Sequence, residues 1–525
     1  MTLNMGMCDK CRKVVSVTHH QKNNKEYLHK HCPDCGEVET LISNDASLYR
    51  RKREFLSEHK YQGCHMSCLD CVHKVPNIVF VETTNRCNMN CPICITNVPS
   101  MGFQFEPRME FFDRIFKYCS QLEHPPSIQL FGGEPTVRED MFEIIELAKS
   151  YGLIVRIATN GLKIADKAYA QKVIDSGATV LIAFDGFKKE MYAELRAHPE
   201  ALGLKLKALE NLSGHKNGKV VLMSVIDKQI NGDELPEFLN FCVDKPHIRG
   251  IYFMPLTHVW SKDRLNYDPQ RTTQEDIENF VNKAVGGGAE FVPMGSFEFN
   301  NIQKVLGNEV VTFAGVHANC ESLTYLIPQG DKFIPLSRFL KHGFAASVRD
   351  LRELDKRVAR FIGKKPAGLW LKIRVRIELA KVYLKHWNFS AMVGAKGFSA
   401  FIRWMRILVK LLMQRPFLEV IREETVFKHP NVILEIIILP FEDDYTLESE
   451  RLRLCASCFC YVDVGTDTVK SIPFCIWEKY KTVVMKDIAE KYNKEGYNQG
   501  LSRAKQKVRE GEKDKEGVPL SRPCD

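Results

Sequence analysis

The sequence predicts an α/β protein built on a parallel sheet with helices outside it, and three observations carry that prediction. Between residues 77 and 258, short apolar runs at 78–83, 127–131, 153–158, 179–184, 219–225 and 250–254 alternate with amphipathic stretches that include 108–122, 138–150, 165–176 and 234–243. Six β/α repeats of this kind make a parallel sheet. The first run, beginning Ile78-Val79-Phe80-Val81, opens into a loop with Cys87, Cys91 and Cys94 at C-x3-C-x2-C spacing. The second, Ile128-Gln129-Leu130-Phe131, ends in Gly132-Gly133-Glu134-Pro135. Ligands of such sheets sit at the carboxyl ends of the strands, where both motifs fall.

Each motif has its own chemistry. Three thiolates on a tight loop can each take one iron of a cubane cluster and leave the fourth iron open to a ligand. The same spacing also suits a structural zinc or an electron-transfer cluster, either of which wants a fourth protein ligand nearby. Glycines at a strand end let backbone approach a ligand closely, and Glu134 can hold an ammonium group. Together, in this order and on these elements, the two motifs resemble the radical S-adenosylmethionine (SAM) superfamily.

That resemblance implies a partial (β/α)6 barrel, open on one side, and a [4Fe-4S] cluster on Cys87, Cys91 and Cys94. It implies that the SAM amine and carboxylate chelate the open iron, with Gly132, Gly133, Glu134 and Pro135 at the amine. SAM is then cleaved to a 5′-deoxyadenosyl radical that abstracts hydrogen from an unactivated C–H bond. Thr159 and Asn160 after the third strand, and Asp185 after the fourth, are candidate SAM contacts. Asn160-Gly161 and Asp185-Gly186 are also favoured turn dipeptides.

Before this core, Cys8/Cys11 and Cys32/Cys35 form two C-x2-C knuckles within residues 1–40, the spacing of one tetrahedral four-thiolate site. Zinc and a single rubredoxin-type iron both accept that geometry. His29 and His31 are expected to be surface residues, since four cysteines already satisfy the site. Residues 41–76 carry a basic helical stretch, Leu48–His59, and a second C-x3-C-x2-C at Cys64, Cys68 and Cys71. No strand ending in Gly-Gly-Glu-Pro follows it before Cys87, so it reads as an auxiliary cluster segment.

After the core, residues 259–345 hold Cys320 in a loop running into a strand, then a hairpin turn at Gln329–Lys332. Residues 346–420 are a basic amphipathic insertion: Phe401, Met405, Leu408 and Leu412 align on one helical face and Arg403, Arg406 and Lys410 on another. Leu371–Leu379 fits a strand as well as a helix. Residues 421–495 bring Cys455, Cys458, Cys460 and Cys475, and residues 496–525 form a charged tail expected to be disordered.

At 525 residues the chain is too long for one compact core, and 44% hydrophobic with 26% charged residues is an ordinary soluble composition. No signal peptide or membrane-spanning run is visible. Eighteen cysteines grouped at metal-ligand spacings point to a reducing compartment and several metal centres rather than disulfides. The expected location is therefore cytoplasmic, with peripheral contact at the inner face of a membrane open. Cys119 and Cys242 fall in apolar helical series and read as core; Cys524 lies in the polar tail. The net charge of +9 is uneven, because Arg338–Pro416 holds 19 Lys and Arg against 4 Asp and Glu, leaving the remainder at −6. Such a block points to a polyanion, either membrane headgroups or nucleic acid.

The whole pattern, from the knuckles to Ile472-Pro473-Phe474-Cys475, resembles the tetraether lipid synthase group, relatives of which were described as radical SAM pterin methylases. That resemblance implies joining of two saturated lipid chains through their terminal carbons, with one chain held at an auxiliary cluster through a carbon–sulfur bond. It also implies an electron donor such as ferredoxin or flavodoxin. Cysteine counting independently leaves eight for two auxiliary [4Fe-4S] clusters: Cys64, Cys68, Cys71, Cys320, Cys455, Cys458, Cys460 and Cys475. The chain departs from the group in having Cys458 and Cys460 near Cys455, and Glu321 where a glycine is expected. Alternatives are a radical methyltransferase acting on a pterin-like ring, a peptide-modifying maturase, or, outside enzymes, a metal-dependent nucleic-acid-binding regulator. Gly-Gly-Glu-Pro beside an open cluster argues against the last.

Overall fold

The computed structural model describes residues 4–55, 76–96, 101–215, 219–258, 264–297, 299–307, 317–362, 368–413, 417–427 and 433–495. Cys64, Cys68, Cys71 and Cys524 lie outside the described residues, as does the tail from 496.

The amino-terminal unit is a four-stranded antiparallel sheet of β1 (Met5–Met7), β2 (Val14–Lys22), β3 (Lys25–Cys32) and β4 (Gly36–Ser43). Asn23 and Asn24 turn β2 into β3 at φ 51° and 56°. That pair of left-handed residues matches the strand twist, and asparagine tolerates it best after glycine. Val15, Val17 and Leu28 pack with Cys8 and Cys32 into a core of its own. Helix α1 (Ala46–Arg53) follows, its first turn capped by Asp45, whose carboxylate accepts from the Leu48 N–H.

The core follows as β5 (Ile78–Thr84), α2 (Met109–Ser120), β6 (Ser127–Gly132), α3 (Met141–Ser150), β7 (Val155–Thr159), α4 (Lys167–Ser176), β8 (Thr179–Ala183), α5 (Lys189–Arg196), α6 (Ala201–Asn211), β9 (Val220–Ile226), α7 (Leu235–Cys242) and β10 (Ile248–Pro255). Strands β5 to β10 pair in parallel in chain order, the six β/α repeats expected of the sequence. Val79, Phe80 and Val81 are all buried, as a strand covered on both faces requires. Cys119 and Cys242 are buried in α2 and α7. Helices α5 and α6 form no part of the sequence reading.

The remaining elements are α8 (Gln274–Ala284), β11 (Val292–Pro293), α9 (Asn300–Leu306), β12 (Ser322–Gln329), β13 (Lys332–Pro335), α10 (Gly343–Ala359), α11 (Leu369–His386), α12 (Phe389–Val393), α13 (Gly397–Leu412), α14 (Phe417–Glu424), β14 (Leu434–Ile438), α15 (Ser449–Arg453), β15 (Ser457–Asp463), β16 (Thr468–Pro473) and α16 (Phe474–Tyr492). Both edges of the six-stranded core are covered. β14 lies parallel to β10 and carries β12 antiparallel beside it; β15 lies parallel to β5 and carries β16. The described sheet therefore has twelve strands. Leu371–Leu379 is helical, within α11. Among the described residues no helix is long and apolar enough to cross a membrane.

Candidate active site at the strand ends

β5 runs straight into the three-cysteine loop, and the base of that loop is clamped. Arg86 donates to both oxygens of Glu106, at 2.7 and 3.0 Å, and Thr84 donates to the same carboxylate at 3.0 Å. The Asn85 amide donates to the Phe103 carbonyl at 2.6 Å, and its oxygen accepts from the Phe105 N–H at 2.8 Å. Cys87 reaches the surface, while Cys91 and Cys94 are half-buried. The Cys94 sulfur lies 3.0 Å from the Thr96 hydroxyl. Loss of water around the Cys87 sulfur, with the charges of Glu134, Cys91 and Cys94, pushes its pKa up to about 12. Burial also raises Cys91. Three sulfurs so placed repel one another as thiolates, and a bound cation or cluster removes that penalty, so the donor set fits iron.

The Gly-Gly-Glu-Pro segment is stitched to this loop. Gly133 N–H donates to the Thr84 carbonyl at 2.7 Å and Glu134 N–H to the Arg86 carbonyl at 2.8 Å. A Cβ on Gly132 or Gly133 would collide with those same two carbonyls, and Gly132 has φ 125°. The glycines thus permit close approach of the cysteine loop itself. The Glu134 carboxylate is buried. Its Oε1 accepts from Thr136 N–H at 3.1 Å, the Thr136 hydroxyl at 2.6 Å and the Thr159 hydroxyl at 2.6 Å. Oε2 accepts from Asn160 N–H at 2.6 Å, which leaves that oxygen a lone pair for one further donor. The Asn160 side chain reaches Asn88 of the cysteine loop at 2.7 Å. Gly132, Gly133, Glu134, Pro135, Thr159 and Asn160 therefore meet around the loop of Cys87, Cys91 and Cys94.

Asp185 is fully buried after β8, held by Arg196 through two bonds of 2.7 Å and by the Val225 N–H at 3.2 Å. The Arg196 charge is also close enough to Cys91 to oppose the rise that burial gives its thiol, so the Asp185–Arg196 pair borders the cysteine loop. Lys205, fully buried on α6, donates to the carbonyls of Asn160 and Ala183 at 2.6 Å each. Burial brings its pKa down to about 8. Neither Arg196 nor Lys205 figures in the sequence reading. The signal was present for Lys205, which occupies a core position in the buried series Ala201, Leu202, Lys205, Ala208, Leu209.

A second sulfur set surrounds Arg451. Its Nε lies 3.4 Å from the Cys320 sulfur and 3.6 Å from Glu442, whose N–H donates to the Cys475 sulfur at 3.4 Å. Cys455 is close enough for its charge to raise the Cys475 thiol, although burial is the larger cause. Burial likewise lifts Glu442 to about 8, against the pull of Arg451. Cys320, Cys455 and Cys475 are thus brought into one neighbourhood. Cys458 and Cys460 are not: Cys460 contacts Cys119 of α2, and strand alternation puts Cys458 on that same face. Phe459, pointing the other way, stacks on Trp477 at 4.9 Å.

Between the two sulfur sets lies a small aromatic-lined cleft. Ile95 and Thr96, next to Cys94, form one wall and Cys475 another, with Phe131, Phe441, Phe459, Phe474 and Trp477 between them. Glu442 and Glu478 are its carboxylates. The Trp477 indole donates out of the cavity to Glu82 at 2.9 Å, and burial lifts Glu82 to about 7.

The amino-terminal sheet supplies the tightest metal geometry. The sulfurs of Cys8, Cys11, Cys32 and Cys35 all lie within 4.8 Å of one another, Cys11 and Cys32 at 3.6 Å. Metal–sulfur bonds of about 2.3 Å in a tetrahedron space the sulfurs by roughly 3.8 Å, so the site fits zinc or a single iron. Burial raises the Cys8 thiol, but the N–H groups of Cys11 and Lys10 outweigh it and bring it down to about 6. His29 and His31 turn away to Glu37, at 3.3 and 3.6 Å.

Comparison with family models agrees with this architecture. Residues 81–242 match the model of the radical SAM superfamily, and residues 4–44 that of the HMPTM N-terminal zinc ribbon domain. A 7,8-dihydro-6-hydroxymethylpterin dimethyltransferase of Methanocaldococcus jannaschii is 27% identical over 510 residues, 93% of this chain and 95% of the relative. A GTP 3′,8-cyclase of Limosilactobacillus fermentum is 35% identical over 133 residues, 25% of this chain and 39% of the relative. Streptococcus suis SuiB bound to S-adenosylmethionine overlays with a TM-score of 0.31 at 17% identity, covering 40% of this chain and 47% of that one.

Proposed function

From the premise that the chain is a radical SAM enzyme carrying an N-terminal zinc ribbon, we propose that it joins two saturated membrane-lipid chains through a carbon–carbon bond. The observation that carries this reading is the aromatic-lined cleft bounded by Ile95 and Thr96, which follow Cys94 in the chain, and by Cys475. An alkyl terminus is the kind of group such a lining accepts.

When bound, the [4Fe-4S] cluster and SAM supply an electron and a 5′-deoxyadenosyl radical able to take hydrogen from an unactivated carbon. Cys87, Cys91 and Cys94 would hold that cluster. The free lone pair of Glu134 Oε2 and the backbone of Gly132–Pro135 would receive the SAM amine, and Thr159, Asn160 and Asp185 would hold the strand ends around it. Cys320, Cys455 and Cys475 would hold one auxiliary cluster, with Arg451 donating to the sulfur of Cys320. Cys64, Cys68 and Cys71 would hold the other, and the four ribbon cysteines zinc or iron. Phe131, Phe459 and Trp477 would exclude water from a carbon held in that cleft, which would protect a radical from quenching. A small reductant protein such as a ferredoxin or flavodoxin would supply the electron.

A second reading, methylation of a pterin-like ring, is favoured by two observations. The relative aligned along nearly the whole chain is named a pterin dimethyltransferase. Glu442 and Glu478 also place carboxylates in the aromatic cavity, where they would accept from ring N–H groups.

One product assay separates them. Reduced holoenzyme, SAM and a diether or diester lipid are incubated without oxygen and the products weighed. Joining two chains removes one hydrogen from each, so the product should weigh two chains less two hydrogens, with two deoxyadenosines formed per bond. Lipid left untouched while a pterin gains methyl mass would overturn lipid coupling and establish the second reading.

A further inference from the structure

Twelve of the eighteen large hydrophobic side chains exposed among the described residues lie between Phe361 and Met413. Five of them, Phe398, Phe401, Ile402, Met405 and Val409, form one stripe on α13 that Met413 continues just past its end, all between 43 and 77% exposed. The spacing follows the helical period, so they share a face. The opposite face is also apolar, and it is the one that folds the helix: Ala400 and Ile407 pack on Val393 and Val420, and the Trp404 indole donates to the Phe389 carbonyl at 3.2 Å.

The cations of α13 behave in the reverse of the ordinary amphipathic pattern expected from sequence. Arg403 donates to the Val393 carbonyl at 2.7 Å, Lys410 to Glu423 and Glu424 at 2.7 and 2.5 Å, and Arg406 pairs with Glu424 at 3.5 Å. They bind the helix to its own neighbours while the aromatic stripe faces outward. On α11, Trp370, Ile377 and Leu384 recur every seven residues and are likewise exposed.

We propose that the outward stripe of α13 is a membrane-docking face that enters the headgroup–acyl boundary of an anionic bilayer. The partner must accept both an apolar stripe and the net +15 of Arg338–Pro416. A second copy of this chain would set +15 against +15 and is repelled. Nucleic acid offers charge but no apolar bed for Phe398 and Phe401. A bilayer containing anionic lipid offers both. Arg357, Arg360, Arg374, Arg376 and Lys396 are exposed in the same block and add to the attraction of an anionic surface. This inference rests on exposure and charge, and stands whether the substrate is a lipid or a pterin.

The test uses full-length holoenzyme and vesicles of phosphatidylcholine with or without phosphatidylglycerol, near physiological salt. Wild type should sediment with the mixed vesicles and only weakly with phosphatidylcholine alone. The combined variant Phe398→Ser, Phe401→Ser, Met405→Ser should bind at least tenfold more weakly, with its circular dichroism, iron content and SAM cleavage unchanged. As a variant that keeps the apolar surface, Phe401→Trp should be quenched by brominated lipids beyond the wild-type tryptophans. Equal sedimentation of the triple variant, wild type remaining in the supernatant, or no added quenching of Phe401→Trp would overturn the proposal. So would a wild-type dimer that the triple variant dissociates, which would make the stripe an interface between copies.

Discussion

Asp185 and Arg196 show how much of the site depends on pairs no motif announces. The carboxylate is fully buried and its two bonds to Arg196 are 2.7 Å each, so neither charge is tolerable alone. Removing one partner of such a pair leaves an uncompensated buried charge and costs about 3–5 kcal/mol. Arg196→Ala should therefore lose stability of that order in denaturant unfolding. Arg196→Lys, which keeps the charge but not the two-pronged geometry, should lose less. Both variants should form less deoxyadenosine, because the Arg196 charge lies beside Cys91 and offsets the cost of its thiolate there. A stable Arg196→Ala protein with full SAM cleavage would show that Asp185 is held by other donors. Asp185 was legible as a strand-end polar residue, but its partner lies eleven residues on, in a helix without a motif.

At the scale of elements, the zinc ribbon docks on the segment between Phe441 and Arg453. His19 lies 2.8 Å from Glu448, Arg12 2.9 Å from Asp444, and Lys30 donates to the Tyr445 carbonyl at 2.5 Å. That segment leads directly to Arg451 and Cys455, so the ribbon braces the second sulfur set from a distance. Burial would raise Glu448, yet its bond to His19 brings it down to about 2 from a usual 4.5. Burial would lower His19, yet Glu448 raises it above 6.5. The depressed carboxylate contributes stability above pH 4.5 that is lost as pH falls toward 2. The raised histidine contributes fully below pH 6.5 and loses its contribution as pH rises through the raised value. The thermal midpoint should thus decline as pH rises from 6.5, and His19→Gln, which cannot become charged, should flatten that decline. An unchanged pH slope in the variant would mean the interface is held by its other bonds.

On the whole-molecule scale, both edges of the six-stranded core are covered by strands from the carboxyl-terminal third. β14 pairs with β10, and β15 with β5. An uncovered parallel edge is a template for pairing with other chains. A chain ending at residue 432 should therefore aggregate rather than leave a soluble six-stranded enzyme, as light scattering would show. A monodisperse truncated protein with its iron bound would mean that the core needs no edge strands.

The sequence by itself determined the parallel core of six β/α repeats, the four-thiolate ribbon and the place of the three-cysteine loop and Gly-Gly-Glu-Pro at the ends of the first two strands. Those features are local: strand periodicity, ligand spacing and glycine at a strand end are all written within a few residues. Tertiary structure alone decided the rest. It turned Cys458 and Cys460 into the core against Cys119, because alternation along a strand commits every second side chain to one face once that strand is docked. It gathered Cys320, Cys455 and Cys475 around Arg451 from segments more than a hundred residues apart. It also faced the aromatic stripe of α13 outward, because which of two apolar faces a helix buries depends on the neighbour that reaches it first in space, and periodicity carries no record of that neighbour.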